Sequence, residues 1–226
     1  MALDQTRCAL IIAPHPDDEV LGCGGTIKRL ANGGADVHVA IVTKAGEEAF
    51  GPDVARIGRE EAALAHACLG VRATHYLDFP AAALDTVPHA TMNAEFGRLI
   101  QSLRPDTLFV PFLGDVHRDH QLTFLSAMVA ARPRGGQGPA RVYAYETLSE
   151  TNWYAPGLTP AFIPNVYFDI SDTVDAKIAA FAMFSSQIRA APDERSLETI
   201  DALARLRGST AHRSAAEAFM LLREID

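Results

Sequence analysis

The sequence is poor in cysteine and contains no long apolar run. Its three cysteines, Cys8, Cys23 and Cys68, are too few and too widely spaced for a disulfide framework or a cysteine-type zinc site. No apolar stretch is long enough to span a bilayer, and the first residues lack the apolar segment of a secretory signal. We therefore expect a cytoplasmic protein that is neither a disulfide scaffold nor a membrane protein.

Basic residues are scarce relative to acidic ones. Lys and Arg number 20 against 28 Asp and Glu, which gives a formal net charge of −8, and no dense Lys/Arg stripe is present. Proteins that bind nucleic acid or anionic membranes usually carry such a stripe. The charge balance therefore favours a small-molecule partner over nucleic acid or a membrane.

Strand and helix patterns alternate along the chain, which predicts an α/β domain with a mainly parallel sheet. The chain has the size of one domain and shows no repeat or linker, so we expect a single domain over residues 1–226. The predicted strands are 8–12, 36–43, 74–79, 107–112, 141–146 and 165–170. The predicted helices are 24–32, 57–69, 92–103, 119–131, 174–186, 197–206 and 215–223. Residues 44–54 and 148–165 are predicted as loops, the second of them functional.

The first polar cluster follows the first predicted strand. Residues 13–19 read Ala-Pro-His-Pro-Asp-Asp-Glu, so His15 is followed within four positions by three carboxylates, those of Asp17, Asp18 and Glu19. Ligands of open α/β sheets bind at the carboxyl ends of the strands, which is where this cluster lies. So many acidic groups would repel one another unless a cation or a proton relieved them. A bound metal ion is the simplest explanation.

A second polar cluster, Gly-Asp-Val-His-Arg-Asp-His, occupies residues 114–120 and follows another buried strand. Both clusters therefore reach the same edge of the sheet. Either stretch alone is more simply explained as a polar turn that caps a helix, but the two together favour a metal site. Two imidazoles and one carboxylate, with a position left for water, make a catalytic zinc site, and Fe(II) accepts the same ligands. We predict His15, Asp18 and His120 as the ligands.

The remaining polar groups of the two clusters suit metal-assisted hydrolysis of a carbonyl compound. Asp17 is the expected base for the attacking water, although spacing alone allows Asp17 and Asp18 to exchange roles. His117 can donate a proton to an oxyanion or a leaving amine, and Asp119 could orient its imidazole and raise its pKa. Cys23 has no partner base nearby and is rejected as a nucleophile.

Three further residues are candidates for substrate contact. Arg56 and Arg59 could reach a polyhydroxylated substrate, and the competing explanation is that they are solvated helix charges. His212 lies in a predicted loop, where a plain surface position is the alternative. The glycine-rich run 22–26 lacks the lysine and the spacing of a phosphate-binding loop.

Three segments of the sequence resemble those of a known family. Pro-His-Pro-Asp-Asp-Glu at 14–19, Leu-Gly-Cys-Gly-Gly at 21–25 and Asp-Val-His-Arg-Asp-His at 115–120 are similar to the LmbE-like/PIG-L zinc-dependent deacetylases, which remove acetyl groups from N-acetylglucosaminyl compounds. The resemblance extends over nearly the whole chain, with weaker landmarks at Glu61, Tyr145–Glu146 and Ser186–Gln187.

The resemblance implies a Rossmann-like three-layer α/β sandwich with the active site at the carboxyl ends of its strands. It implies that His15, Asp18 and His120 hold zinc, which resolves the Asp17/Asp18 ambiguity in favour of Asp17 as the base. It also implies His117 as the acid or oxyanion stabiliser, oriented by Asp119, and a homo-oligomer. The expected reaction is removal of the N-acetyl group from an N-acetylglucosamine-type substrate. The alternatives are an amidase for a non-sugar or thiol-conjugate amide and, from another class, a non-catalytic metal-binding module.

Overall fold

The computed structural model describes residues 2–136, 138–153, 155 and 157–226. Its strands are β1 (Cys8–Ala13), β2 (Asp36–Lys44), β3 (Ala73–Pro80), β4 (Thr107–Pro111), β5 (Arg141–Tyr145), β6 (Val166–Asp169) and β7 (Ala216–Glu224). They form one seven-stranded sheet in the order β3-β2-β1-β4-β5-β7-β6. Strands β1 to β5 pair in parallel, whereas β7 is antiparallel to both of its neighbours. The predicted mainly parallel sheet is confirmed.

Helices cover both faces of the sheet, as the three-layer prediction requires. The helices are α1 (Asp18–Asn32), α2 (Glu47–Phe50), α3 (Val54–Leu69), α4 (His89–Leu103), α5 (Arg118–Ala130), α6 (Val174–Phe181) and α7 (Leu197–Thr210). One apolar core lies between the sheet and α1, α3, α6 and α7, and a second lies between the sheet and α4 and α5. Burial on both faces explains why β1 and β4 are almost continuously apolar.

The strand order places the two polar clusters side by side. Strand β1 pairs with β4 in parallel, with Ile11 opposite Phe109, so both strands end at the same edge of the sheet. Each is followed directly by one polar cluster and then by a helix. Residues about 100 positions apart in the sequence therefore meet above the centre of the sheet.

Helix α1 begins at Asp18, six residues before the predicted start, and its glycines serve close packing. A Cβ built on Gly22 would lie 2.3 Å from Cδ2 of Tyr145, and one on Gly25 would lie 2.7 Å from Cδ1 of Ile170. The Tyr145 hydroxyl donates a hydrogen bond to the backbone oxygen of Ile12 at 2.8 Å. These glycines therefore let α1 lie directly against residues of the sheet and of the segment after β6.

The predicted helix at 215–223 is wrong, because these residues form β7. Ala, Glu, Leu and Met are helix formers, but the segment lies between β5 and β6 and makes ladder hydrogen bonds to both. Its faces alternate, since Phe219 enters one core while Met220 packs against the other. Glu217 is buried and accepts a 2.6 Å bond from Lys177 Nζ as well as bonds from two amides of α1. Tertiary pairing thus overrides the local propensity.

Two predicted loops differ in part from expectation. Residues 44–54 contain the short helix α2, and α3 starts three residues earlier than predicted. The loop predicted at 148–165 includes residues 154 and 156, which lie outside the described residues. Among the helices of the described segments, none combines the length and the apolar character needed to cross a bilayer.

Candidate active site

The first cluster turns sharply between β1 and α1 at Asp17. This residue has φ of 115° and ψ of −28°, a left-handed conformation that is costly for a residue other than glycine. Aspartate at this position normally caps the helix with its side chain, but no such bond is formed here. The capping-turn explanation therefore does not account for this carboxylate, which lies buried at the cavity instead.

Three side chains from the two clusters converge on one point. Ligand atoms of His15, Asp18 and His120 all lie within 4.8 Å of one another, and Asp18 Oδ2 is 3.3 Å from Nδ1 of His15 and 3.2 Å from Nε2 of His120. Within the described part of the chain, Asp18 Oδ1 is buried without a hydrogen-bond partner, and His120 Nε2 is buried with no well-aligned hydrogen bond beyond its contact with Asp18 Oδ2. Buried polar atoms without partners are rare, and together these donors suit a divalent ion. The residues present therefore fit a metal ion.

A second group of side chains, His15, His117 and Asp119, is also close enough to hold an ion. The Asp119 carboxylate, however, already accepts bonds from His15 Nε2 at 3.1 Å and from the Ala82 amide at 2.7 Å. His15 is common to both groups, and the buried atoms that lack a well-aligned hydrogen bond belong to Asp18 and His120. The first group is therefore the better metal site, and Asp119 lies where it orients His15.

His117 caps α5 with its ring. Its Nδ1 accepts a hydrogen bond from the Asp119 amide at 3.1 Å, whereas the Asp119 carboxylate is 4.0 Å away. Burial, together with the nearby His15, lowers the pKa of His117 and outweighs the effect of Asp119. The expected rise in pKa is therefore not found. Because Nδ1 is an acceptor, the neutral ring carries its proton on Nε2.

Asp115 holds the other side of His120. Its Oδ2 accepts a hydrogen bond from His120 Nδ1 at 2.8 Å, and its Oδ1 accepts one from Thr151 Oγ1 at 2.6 Å. Both side chains of the Asp115–His120 pair are fully buried. This contact fixes the tautomer so that Nε2 faces the cluster, as carboxylates that are hydrogen-bonded to metal-binding histidines do.

The surroundings of the three candidate ligands favour positive charge. Burial alone would lower the pKa of His15, but hydrogen bonds to Asp119 and Asp18 raise it to about 9. Burial also opposes the charged form of His120, yet Asp18 and Asp115 raise its pKa well above the usual value. Burial would raise the pKa of Asp18, but His120 and His15 hold it well below its usual value. The carboxylates of this site therefore favour a cation.

Asp17 is buried beside a guanidinium. Burial raises the pKa of Asp17 to about 8, and the charge of Arg195 opposes the rise. Arg195 Nη1 donates to Asp17 Oδ2 at 2.7 Å, whereas Asp17 Oδ1 has no hydrogen-bond partner among the described residues. A carboxylate with one free oxygen at a cavity wall can accept a proton from a water molecule.

A cavity of about 510 Å³ opens above these groups, a size usual for small-molecule sites. His15, Asp17, His117 and Arg195 are among the residues that line it.

The three predicted substrate contacts differ in whether they line the cavity. Arg59 lines it, with its guanidinium 4.4 Å from the centre of the Tyr76 ring and paired with Asp78. Arg56 is absent from the lining and forms exposed ion pairs with residues of its own helix end. His212 is exposed in the turn after α7 and does not line the cavity either.

Sequence reasoning missed Arg195 and the role of Asp115. Arg195 lies in a connection far from both clusters, and no local pattern marks it. Glu150 lines the cavity from the predicted functional loop 148–165. Asp115 belongs to the second cluster, and its spacing five residues before His120 was the available signal. Glu61, a family landmark, accepts hydrogen bonds from Ser185 and Ser186 and so anchors the wall of the cavity.

Comparisons with known proteins agree with this architecture. Residues 10–131 match the family model described as PIG-L, GlcNAc-PI de-N-acetylase. The diacetylchitobiose deacetylase of Thermococcus kodakarensis is 30% identical over 194 residues, covering 81% of this chain and 71% of the relative. The 1D-myo-inositol 2-acetamido-2-deoxy-alpha-D-glucopyranoside deacetylase of Rhodococcus jostii is 30% identical over 245 residues, covering 82% and 83%. A conserved protein of Thermus thermophilus has a solved structure with a TM-score of 0.79 and 26% identity over 96% of each chain.

Proposed function

The chain belongs to the PIG-L family of N-deacetylases, and on this premise we propose that it removes the N-acetyl group from a 2-acetamido sugar by metal-assisted hydrolysis. The observation that carries the proposal is the convergence of His15, Asp18 and His120 on one point. In the same sequence cluster, Oδ1 of Asp17 and Oδ1 of Asp18 are buried and have no hydrogen-bond partner among the described residues. The burial of such polar atoms without hydrogen bonds is explained if they bind an ion and a reacting water.

The ligands in this proposal are His15, Asp18 and His120, and zinc is the proposed ion, with Fe(II) as the other candidate for the same donor set. When bound, the ion supplies Lewis acidity, which polarises a carbonyl oxygen and lowers the pKa of water. Asp115 keeps His120 in the tautomer that presents Nε2 to the ion. Asp119 binds Nε2 of His15 and so leaves Nδ1 of His15 to face the ion.

The chain's own residues then divide the proton transfers. Asp17 accepts a proton at Oδ1 from the water whose oxygen attacks the acyl carbon. His117 donates a hydrogen bond from Nε2 to the oxyanion, a role that suits its lowered pKa better than that of a proton reservoir. The carbon–nitrogen bond breaks as the amine nitrogen receives the proton held by Asp17. The products are acetate and the free amine.

The substrate class follows from what the relatives have in common. One relative is named for diacetylchitobiose and another for an inositol-linked 2-acetamido-2-deoxyglucoside. The acetamido sugar is shared, whereas the attached group differs. Arg59 gives the cavity a donor for hydroxyl groups of such a sugar. An amidase for a non-sugar or thiol-conjugate amide is the alternative on the same residues. Cytoplasmic location, homo-oligomerisation and a single-domain chain stay predictions.

The proposal is tested by metal analysis of the purified protein coupled to an assay of free-amine release from a panel of N-acetylglucosamine conjugates. We expect about one metal ion per chain and turnover of at least one conjugate. Asp17→Asn should retain the metal and lose turnover. Asp53→Asn is the matched control, since Asp53 also has a positive φ before a helix but does not line the cavity. Failure to bind metal after reconstitution would refute the proposal, and metal binding with turnover of non-sugar amides alone would favour the amidase.

A further inference from the structure

Arg195 reaches the candidate active site from the connection between α6 and α7. Its Nη1 donates to Asp17 Oδ2 at 2.7 Å and to Gln187 Oε1 at 2.8 Å, and its Nε donates to Ser149 Oγ at 3.1 Å. The side chain is one-fifth exposed and lines the cavity. The guanidinium is therefore a fixed part of the cavity wall.

The contact with Arg195 makes the two oxygens of Asp17 unequal. Oδ2 is held by the guanidinium, whereas Oδ1 is buried and makes no hydrogen bond. A carboxylate that could rotate freely would exchange these oxygens. With Oδ2 held, Oδ1 is the oxygen of Asp17 left to accept from a water molecule. A fixed acceptor of this kind is what positioned proton transfer requires.

Contacts made by the neighbouring residue help to hold Arg195 in place. The preceding residue, Glu194, accepts hydrogen bonds from the Ser149 amide at 2.6 Å, from Asn152 Nδ2 at 2.5 Å and from Trp153 Nε1 at 3.0 Å. Residues 194–195 therefore join the segment 149–153 to the α6–α7 connection. Because these bonds come from two separate parts of the chain, the guanidinium is positioned before any substrate binds.

We propose that Arg195 is a positioning residue that orients Asp17 for the hydrolysis, so that Oδ1 faces the attacking water. This inference rests on the proposed function. The inference predicts that loss of Arg195 affects kcat and KM to different extents. Loss of Arg195 should lower kcat, because misplacing a reacting group by about 1 Å can cost about a hundredfold in rate. KM should change little, because the contact is made to Asp17 and not to the substrate.

The experiment compares Arg195→Ala, Arg195→Lys and Arg189→Ala on the conjugate that the wild-type protein turns over best. Arg189 is the matched control, because it lies on the same connection and its Nη1 donates only to the backbone oxygens of Ser186 and Ile188. We expect Arg195→Ala to lower kcat on the order of a hundredfold, with KM and metal content close to wild type. Added guanidinium should restore part of kcat. Arg189→Ala should behave as wild type.

Arg195→Lys keeps a cation but lacks the fork that binds three partners at once, so we expect it to fold, to retain metal and to show an intermediate kcat. This variant decides the question if Arg195→Ala does not fold. Wild-type kcat in Arg195→Lys would overturn the inference, and so would a rise in KM alone, which would mark a substrate contact. Loss of turnover in Asp17→Asn with full turnover in the Arg195 variants refutes only this inference. A wild-type protein that releases no amine from any conjugate refutes the proposed function instead.

Discussion

Replacing Asp115 by asparagine should weaken metal binding without removing any ligand. Asp115 is fully buried and accepts a 2.8 Å hydrogen bond from Nδ1 of His120, whose other nitrogen faces the ligand cluster. The asparagine can still accept this bond through its amide oxygen, but the negative charge is lost. His120 then becomes a weaker base, and its tautomer is held less firmly.

The size of the effect follows from the kind of bond that is altered. A hydrogen bond to a charged group contributes about 1.5 to 3 kcal/mol, and asparagine keeps only the neutral part of it. Removing a hydrogen-bond partner of a metal ligand typically lowers metal affinity about 10- to 100-fold. That range corresponds to about 1.4 to 2.7 kcal/mol of binding free energy, which agrees with the loss of most of a charge-assisted bond.

The assay is a competition titration of the metal-free protein against a chromophoric chelator, with the melting temperature measured in parallel. Asp106→Asn is the control, because Asp106 accepts bonds from the Arg7 and Cys8 amides at the opposite edge of the sheet. That variant should lose stability and keep its metal affinity. A wild-type dissociation constant in Asp115→Asn would refute the assignment of His120 as a ligand held by Asp115.

Three further predictions concern stability. Gly22→Ala places a Cβ 2.3 Å from a buried aromatic ring and should cost about 1 to 3 kcal/mol in denaturant unfolding, whereas Gly97→Ala, with nothing within 4 Å, should be neutral or stabilising; equal effects would contradict the packing argument. Lys177→Met leaves the buried Glu217 carboxylate without its cation and should cost about 3 to 5 kcal/mol. Lys28→Met removes one bond to a carbonyl and should cost less than about 1.5 kcal/mol. Similar losses in both variants would refute this prediction. The raised pKa of His15 gives stability that is complete below about pH 6.5. That stability is lost as the pH rises towards about 9, so metal-free protein should melt at a lower temperature at pH 9 than at pH 6.5. A flat profile would contradict the shift.

The sequence predicted most of the fold because its central strands are buried on both faces. Continuous apolar runs such as the one before residue 13 are readable without neighbours, and glycine and proline mark their ends. The segment 215–223 was misread because its residues favour a helix locally, and only pairing with β5 and β6 makes it a strand. The early start of α1 was missed for a related reason. Its glycines are explained by the side chains of Tyr145 and Ile170, which lie far away in the sequence.

The sequence by itself determined which donor residues form the candidate site and where in the fold they lie. Two polar clusters, each directly after a buried strand, can be recognised locally because both the donor types and the strand ends are local properties. Only the tertiary structure decided how each donor is used. It placed Asp119 against His15 rather than His117, put Asp115 behind His120 and brought Arg195 to Asp17. Those contacts depend on which strands are neighbours and on how the connection between α6 and α7 covers the end of the sheet. Neither can be predicted from a short stretch of the chain.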